Sequence, residues 1–218
     1  MPCTVAKHAG FCMGVRQAVE KAERAAAQAR ERGIPCYSLG EVVHNPLVTS
    51  RLQQLGVQVV ERVEDARGGL LILRSHGVAP QVLSACRENG VDYVDCTCAR
   101  VRALHERAAA YSAGGLPVVL VGDGEHPEVR GTAGWCQGPV YTVYTAQDVA
   151  ALPPLPRALV ASQTTLPMER WQALLPALRA KISQPDFYCS ICAATRVRQQ
   201  AARELAIACD RMIVVGGQ

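Results

Sequence analysis

The chain has 218 residues, enough for one or two domains, and only 5% are aromatic, so its core must be built from Val, Leu, Ile and Ala. The net charge of +4 comes from Lys and Arg scattered among acidic neighbours, which leaves no footprint for nucleic acid. No apolar run approaches the roughly 18 residues of a spanning helix and no basic-plus-apolar leader stands at Met1, so a cytoplasmic protein without membrane contact is expected.

From the N-terminus the sequence reads as alternating strands and helices. Residues 1–7 form the first expected strand and 15–32 the first helix, with Val15, Ala18, Val19, Ala22, Ala26 and Ala29 on one face and Gly33 as its stop. Strand 34–39, helix 47–55, strands 57–60 and 70–74, helix 81–88 and strand 93–95 complete a first lobe, residues 1–97. A second lobe, 98–190, reads as helix 101–111, strand 117–121, a short helix after Pro127, strand 140–143, helix 146–151, strand 158–161 and helix 168–181, which Pro176 would kink. The proline-rich stretch 152–156 reads as a stiff loop. Segment 187–190, helix 196–209 and strand 212–215 open a third lobe, 191–218. Parallel strands need crossovers, so the repeated β-α units imply an α/β fold of parallel sheets whose ligands gather at strand carboxyl ends.

Ten cysteines in a cytosolic chain argue against a disulfide framework. Cys3, Cys36, Cys86, Cys136 and Cys209 read as small buried hydrophobes. Cys12, Cys98 and Cys192 each fall in a strand-to-helix turn, at nearly equal intervals along the chain. One thiolate per lobe suits a soft metal centre that keeps one metal position open. Cys96 and Cys189 are the remaining thiols near these turns. A structural zinc site built from Cys96, Cys98, Cys189 and Cys192, or a thiol–disulfide site at Cys189 and Cys192, are the competing readings.

His44, His76 and His126 follow predicted strand ends, whereas His105, among Arg102, Glu106 and Arg107, reads as solvated, and His8 as a loop residue. Gly122 and Gly124 follow a strand, but no dinucleotide or phosphate-loop fingerprint accompanies them. Glu128 is either a helix-stabilising carboxylate or, if enclosed, a proton donor, and Ser162-Gln163-Thr164-Thr165 offers hydroxyl partners for a proton path.

Seven segments taken in order, GFCMGV (Gly10–Val15), EVVHNP (Glu41–Pro46), RSHGV (Arg74–Val78), DCTC (Asp95–Cys98), GEHPEVRGT (Gly124–Thr132), SQTT (Ser162–Thr165) and ICAATRVRQ (Ile191–Gln199), resemble the 4-hydroxy-3-methylbut-2-enyl diphosphate reductases, the IspH or LytB family. The resemblance implies a pseudo-threefold arrangement of α/β lobes around a 4Fe-4S cluster held by Cys12, Cys98 and Cys192, with one iron open to substrate. It implies reductive dehydroxylation of (E)-4-hydroxy-3-methylbut-2-enyl diphosphate to isopentenyl and dimethylallyl diphosphate, with electrons from a donor such as ferredoxin or flavodoxin. Glu128 would supply the proton, His126 and Thr164 would assist it, and His44 and His76 would hold the diphosphate. The family's Ser-x-Asn segment and a later serine are expected beyond Val214-Val215-Gly216-Gly217 and do not occur before Gln218. The expectation is an incomplete third lobe that holds a cluster but reduces substrate poorly.

Overall fold

The structure, a computed structural model, describes residues 3–216. Strands β1 (Cys36–Leu39), β2 (Val57–Val60), β3 (Leu70–Leu73) and β4 (Asp92–Asp95) form a parallel sheet in the order β2-β1-β3-β4. β3 is apolar at all four positions because both of its faces are covered. Leu70 and Ile72 pack with the alanine face of α1 (Met13–Glu31), while Leu71 and Leu73 join Val63, Ala66, Cys86 and Val91 in a separate cluster.

Local chemistry sets the helix limits. At α1 the stop is Gly33, which takes φ 65° and so ends the helix where an L side chain would be strained. For α2 (Pro46–Gln54) the start is Asn45, whose Oδ1 accepts from the Leu47 and Val48 N–H groups at 3.0 and 3.3 Å, with Pro46 pre-set at the first helical position. Proline likewise opens α3 (Pro80–Glu88). Helix α4 (Ala99–Ser112) follows β4 after a three-residue turn.

The second sheet repeats the same order: β5 (Val118–Val121), β6 (Val140–Val143), β7 (Leu155–Ser162) and β8 (Ile182–Tyr188) are parallel in the order β6-β5-β7-β8. Helix α5 (Pro127–Gly134) follows β5, and the sheet's own helices are α6 (Ala146–Ala151), started by a capping box between Thr145 and Asp148, and α7 (Met168–Lys181), which runs through Pro176. Val119, Val121, Val160, Trp171, Leu174 and Leu178 lead its core. Beyond β8 the described chain adds α8 (Ala193–Ala208) and no further strand. Two compact units result: one consists mainly of Cys12–His105 with Arg130–Trp135, the other of Glu106–Val129 and Cys136–Val215 with the N-terminal residues up to Phe11. Among the described residues no helix is long and apolar enough to cross a membrane.

Several expectations need correction. Among residues 1–7, Met1 and Pro2 lie outside the described residues and 3–7 form no strand; residues 212–215 form none either, with Ile213, Val214 and Val215 84–92% exposed. Apolar or β-branched residues favour a strand only beside a neighbour to pair with. Conversely, β8 belongs to the second sheet rather than opening a third lobe, and its Pro185 is tolerated because β8 is an edge strand. The expected stiff loop at 152–156 already contains the start of β7. Cys3 and Cys209 are exposed, Cys136 is half-buried, and only Cys36 and Cys86 of that group are buried hydrophobes. His105, expected in solvent, is 3% exposed.

Candidate functional site

In the unit of the first sheet, Cys12 and Cys98 stand at helix starts. Cys12 is the N-cap of α1, and its Sγ accepts from the Val15 N–H at 3.4 Å. Cys98 immediately precedes α4, its carbonyl accepting from the Arg102 N–H at 2.9 Å. A helix N-terminus favours an anionic group such as a thiolate.

Gly14 brings the two sulfurs together. A Cβ at Gly14 would lie 2.6 Å from Cys98 Sγ and 3.9 Å from Cys12 Sγ, which bounds the separation of the sulfurs at about 6.5 Å, the sum of the two. Both thiols therefore face one patch of bare backbone that any larger residue would fill. Two soft donors this close suit neighbouring corners of an iron–sulfur cluster. Among the described residues no three His, Cys, Asp or Glu side chains are placed to share a single ion, an arrangement a cubane does not require because each thiolate binds a different iron.

His44 and His76 follow β1 and β3 and meet as a stacked pair, ring centroids 4.4 Å apart at 28°. His44 Nδ1 lies 3.8 Å from Glu41 Oε2, and its side chain is 45% exposed. The loop carrying His76 is tied to its neighbours by Ser75 N–H to Val42 O and Cys98 N–H to Ser75 O, both 3.0 Å. Cys96 faces the apolar cluster beneath α1, its thiol pushed up to about 12 chiefly by burial. A neutral, core-packed thiol is a poor metal ligand, and Cys189 is exposed; neither fits the four-thiolate zinc reading.

In the unit of the second sheet, Glu128 lies in the first turn of α5 and is 1% exposed. Its Oε1 accepts the Thr164 N–H and its Oε2 pairs with the Thr164 hydroxyl, each at 2.6 Å. Burial pushes the carboxyl above its ordinary range, opposed by these two hydrogen bonds. His126 Nδ1 accepts the Glu128 N–H at 3.1 Å, which in the neutral ring places the proton on Nε2. The Thr164 carbonyl accepts from the Cys192 N–H at 2.9 Å and from Thr195 Oγ1 at 3.2 Å. Cys192, half-buried at the N-cap of α8, thus shares one peptide with the carboxyl-binding threonine.

Two contributors escaped the sequence reading. Gly14 sits inside a quoted motif but carries no reactive group. Gln163 is 8% exposed and braces the loop before His126, its Oε1 accepting the Asp123 N–H at 3.1 Å and its Nε2 donating to Thr165 Oγ1 at 2.7 Å.

The family model described as LytB protein matches residues 3–218. A 4-hydroxy-3-methylbut-2-enyl diphosphate reductase of Citrifermentans bemidjiense is 40% identical over 218 residues, all of this chain and 76% of the relative. One from Caldanaerobacter subterraneus subsp. tengcongensis is 37% identical over 221 residues, with the same coverage. Among solved structures, (E)-4-hydroxy-3-methyl-but-2-enyl diphosphate reductase, described as the terminal enzyme of the non-mevalonate pathway, aligns with a TM-score of 0.80 and 35% identity over 99% of this chain and 76% of that one. The Plasmodium falciparum enzyme gives a TM-score of 0.85 at 29% identity, covering 92% of this chain and 64% of its own.

Proposed function

The chain belongs to the LytB family of 4-hydroxy-3-methylbut-2-enyl diphosphate reductases, and from that premise we propose how its residues divide the work. It is an iron–sulfur oxidoreductase of isoprenoid biosynthesis that converts (E)-4-hydroxy-3-methylbut-2-enyl diphosphate to isopentenyl and dimethylallyl diphosphate by two-electron reductive loss of a hydroxyl. The ligand set is Cys12, Cys98 and Cys192, which leaves one iron of a 4Fe-4S cluster open. When bound, the cluster supplies the electrons and a Lewis-acidic iron for the hydroxyl oxygen.

The protein's own groups do the rest. His44 and His76 donate to the diphosphate, each hydrogen bond to a charged group contributing roughly 1.5–3 kcal/mol. Desolvation favours the protonated form of Glu128, which would give its proton to the leaving oxygen by way of the Thr164 hydroxyl. His126, with its Nδ1 committed to the Glu128 backbone, offers Nε2–H toward the same oxygen. Electrons come from a small carrier such as ferredoxin or flavodoxin in the cytoplasm.

The burial of Glu128 beside the Thr164 hydroxyl carries this reading, since desolvation favours the protonated form that a proton donor needs. The test is anaerobic reconstitution with iron and sulfide, followed by incubation with the allylic diphosphate and a chemical reductant. Formation of both isomeric diphosphates is the expected result. Tight zinc binding in place of iron, with no substrate consumed, would overturn it.

A further inference from the structure

Two rings in the unit of the first sheet, His105 buried and Trp135 half-buried, have no part in that chemistry. His105 is 3% exposed, and its Nε2 has no hydrogen-bond partner among the described residues. Its ring stacks on Trp135, centroids 5.5 Å apart and planes 22° from parallel. Trp135 in turn donates its Nε1–H to Val78 O at 2.9 Å.

What rests on this pair is the loop that carries His76. Gly77 takes φ +75°, and a Cβ there would lie 2.4 Å from His105 Cε1 and 3.2 Å from Thr97 Cγ2. The backbone is pressed onto the imidazole at the one position where only glycine serves. A Cβ at Gly134 would likewise come within 2.4 Å of Ala79 Cβ, so α5 closes on the end of the same loop. Upstream, Ser75 is held by Val42 O and by the Cys98 N–H. His105 follows Cys98 by seven residues, about two turns of α4, so one helix face carries the thiol at its start and the supporting ring further on. Desolvation holds the imidazole at about 4, so it is neutral and acts through shape.

We propose that His105 and Trp135 are positioning residues for substrate binding: their stacked rings form a floor that fixes the Ser75–Val78 backbone, and with it the direction in which His76 reaches the diphosphate. The proposal rests on the diphosphate role assigned to His76.

A double-mutant cycle on the cluster-loaded full chain tests it. The variants are His76→Asn, His105→Ala and the pair, read as KM and kcat for the allylic diphosphate and as the calorimetric Kd of inorganic diphosphate. His105→Ala should raise KM and Kd about tenfold while kcat stays within about twofold, and should add less than about twofold in the His76→Asn background. Trp135→Phe keeps an aromatic partner but removes the bond to Val78 O and one ring of the indole. Because it also trims the indole surface stacked on His105, it should shift both constants at least about threefold in the same direction, and it decides the matter if His105→Ala does not fold. Effects of His76→Asn and His105→Ala that simply multiply, or a fall in kcat with KM unchanged, would overturn the floor. An unchanged diphosphate Kd in His76→Asn alone would instead remove the role of His76, and the proposal with it.

Discussion

The two sheets share strand order and direction and bury their central strands alike, but they treat the groups at their strand ends in opposite ways. After β1 and β3, His44 is exposed, His76 is half-buried, and the two rings stack with an edge open to solvent. After β5 and β7, Glu128 and Thr164 are 1% and 5% exposed and bonded to each other through two contacts of 2.6 Å. The contrast fits the proposed roles, because groups that capture a hydrated anion gain from contact with water and a proton donor gains from desolvation. One topology thus offers two electrostatic environments, and the difference lies in which residues close over the strand ends.

The thiols proposed as cluster ligands belong to neither extreme, and removing one should have the largest effect. Cys12→Ser or Cys98→Ser should lose most of the bound iron after anaerobic reconstitution, measured as iron and sulfide per chain; full iron content in either variant would remove that thiol from the ligand set. Next in size, Glu128→Gln should keep the iron and lower turnover by roughly 10²–10⁴-fold. Near-normal turnover would show that enclosure in the second sheet serves stability alone.

On the hydrated side the effect should be smaller and of another kind. His44→Asn should raise KM by roughly 10–150-fold, the equivalent of about 1.5–3 kcal/mol, with kcat little changed. A fall in kcat alone would place His44 in the chemistry and blur the contrast between the sheets.

The enclosed carboxyl also marks the stability of the fold. With its folded value raised by burial, Glu128 binds a proton more tightly in the folded chain than in the unfolded one. Its contribution is complete below the ordinary carboxylate value and is lost as pH rises through the raised one. Urea midpoints of the native chain should therefore fall relative to Glu128→Gln as pH rises from the ordinary carboxylate value through the raised one. Parallel midpoints across that window would mean that the carboxyl titrates as if exposed. The smallest change belongs to the remaining thiols: Cys96→Ala and Cys189→Ser should leave iron content unaltered, and a loss in either would revive a wider thiolate set.

Much of this was legible in sequence because the repeating β-α pattern carries its own period. The alanines of α1 and the apolar run of β3 announce a helix lying on a buried parallel strand. β8 was obscured because a polar run with Pro185 resembles a strand only when an edge is free to take it. His105 was misread from its charged sequence neighbours, although Val101, Leu104 and Ala108, all buried, lie on the same helix face at helical spacing. The histidines at strand ends were legible singly, but not their stacking. The enclosure of Glu128 depends on Thr164, 36 residues away, and no local pattern announces it.

Helix α1 has a consequence for how this protein can drift under mutation. Its buried face is Ala18, Val19, Ala22, Ala25, Ala26 and Ala29, so nearly every contact it makes inward is a single methyl. Enlarging any of the five alanines forces overpacking that costs about 1–3 kcal/mol, and trimming one to glycine costs about 1 kcal/mol in helix propensity. Substitutions there are resisted in both directions. A face of this kind keeps the helix close to the sheet, and Cys12 at its N-cap inherits that fixed address.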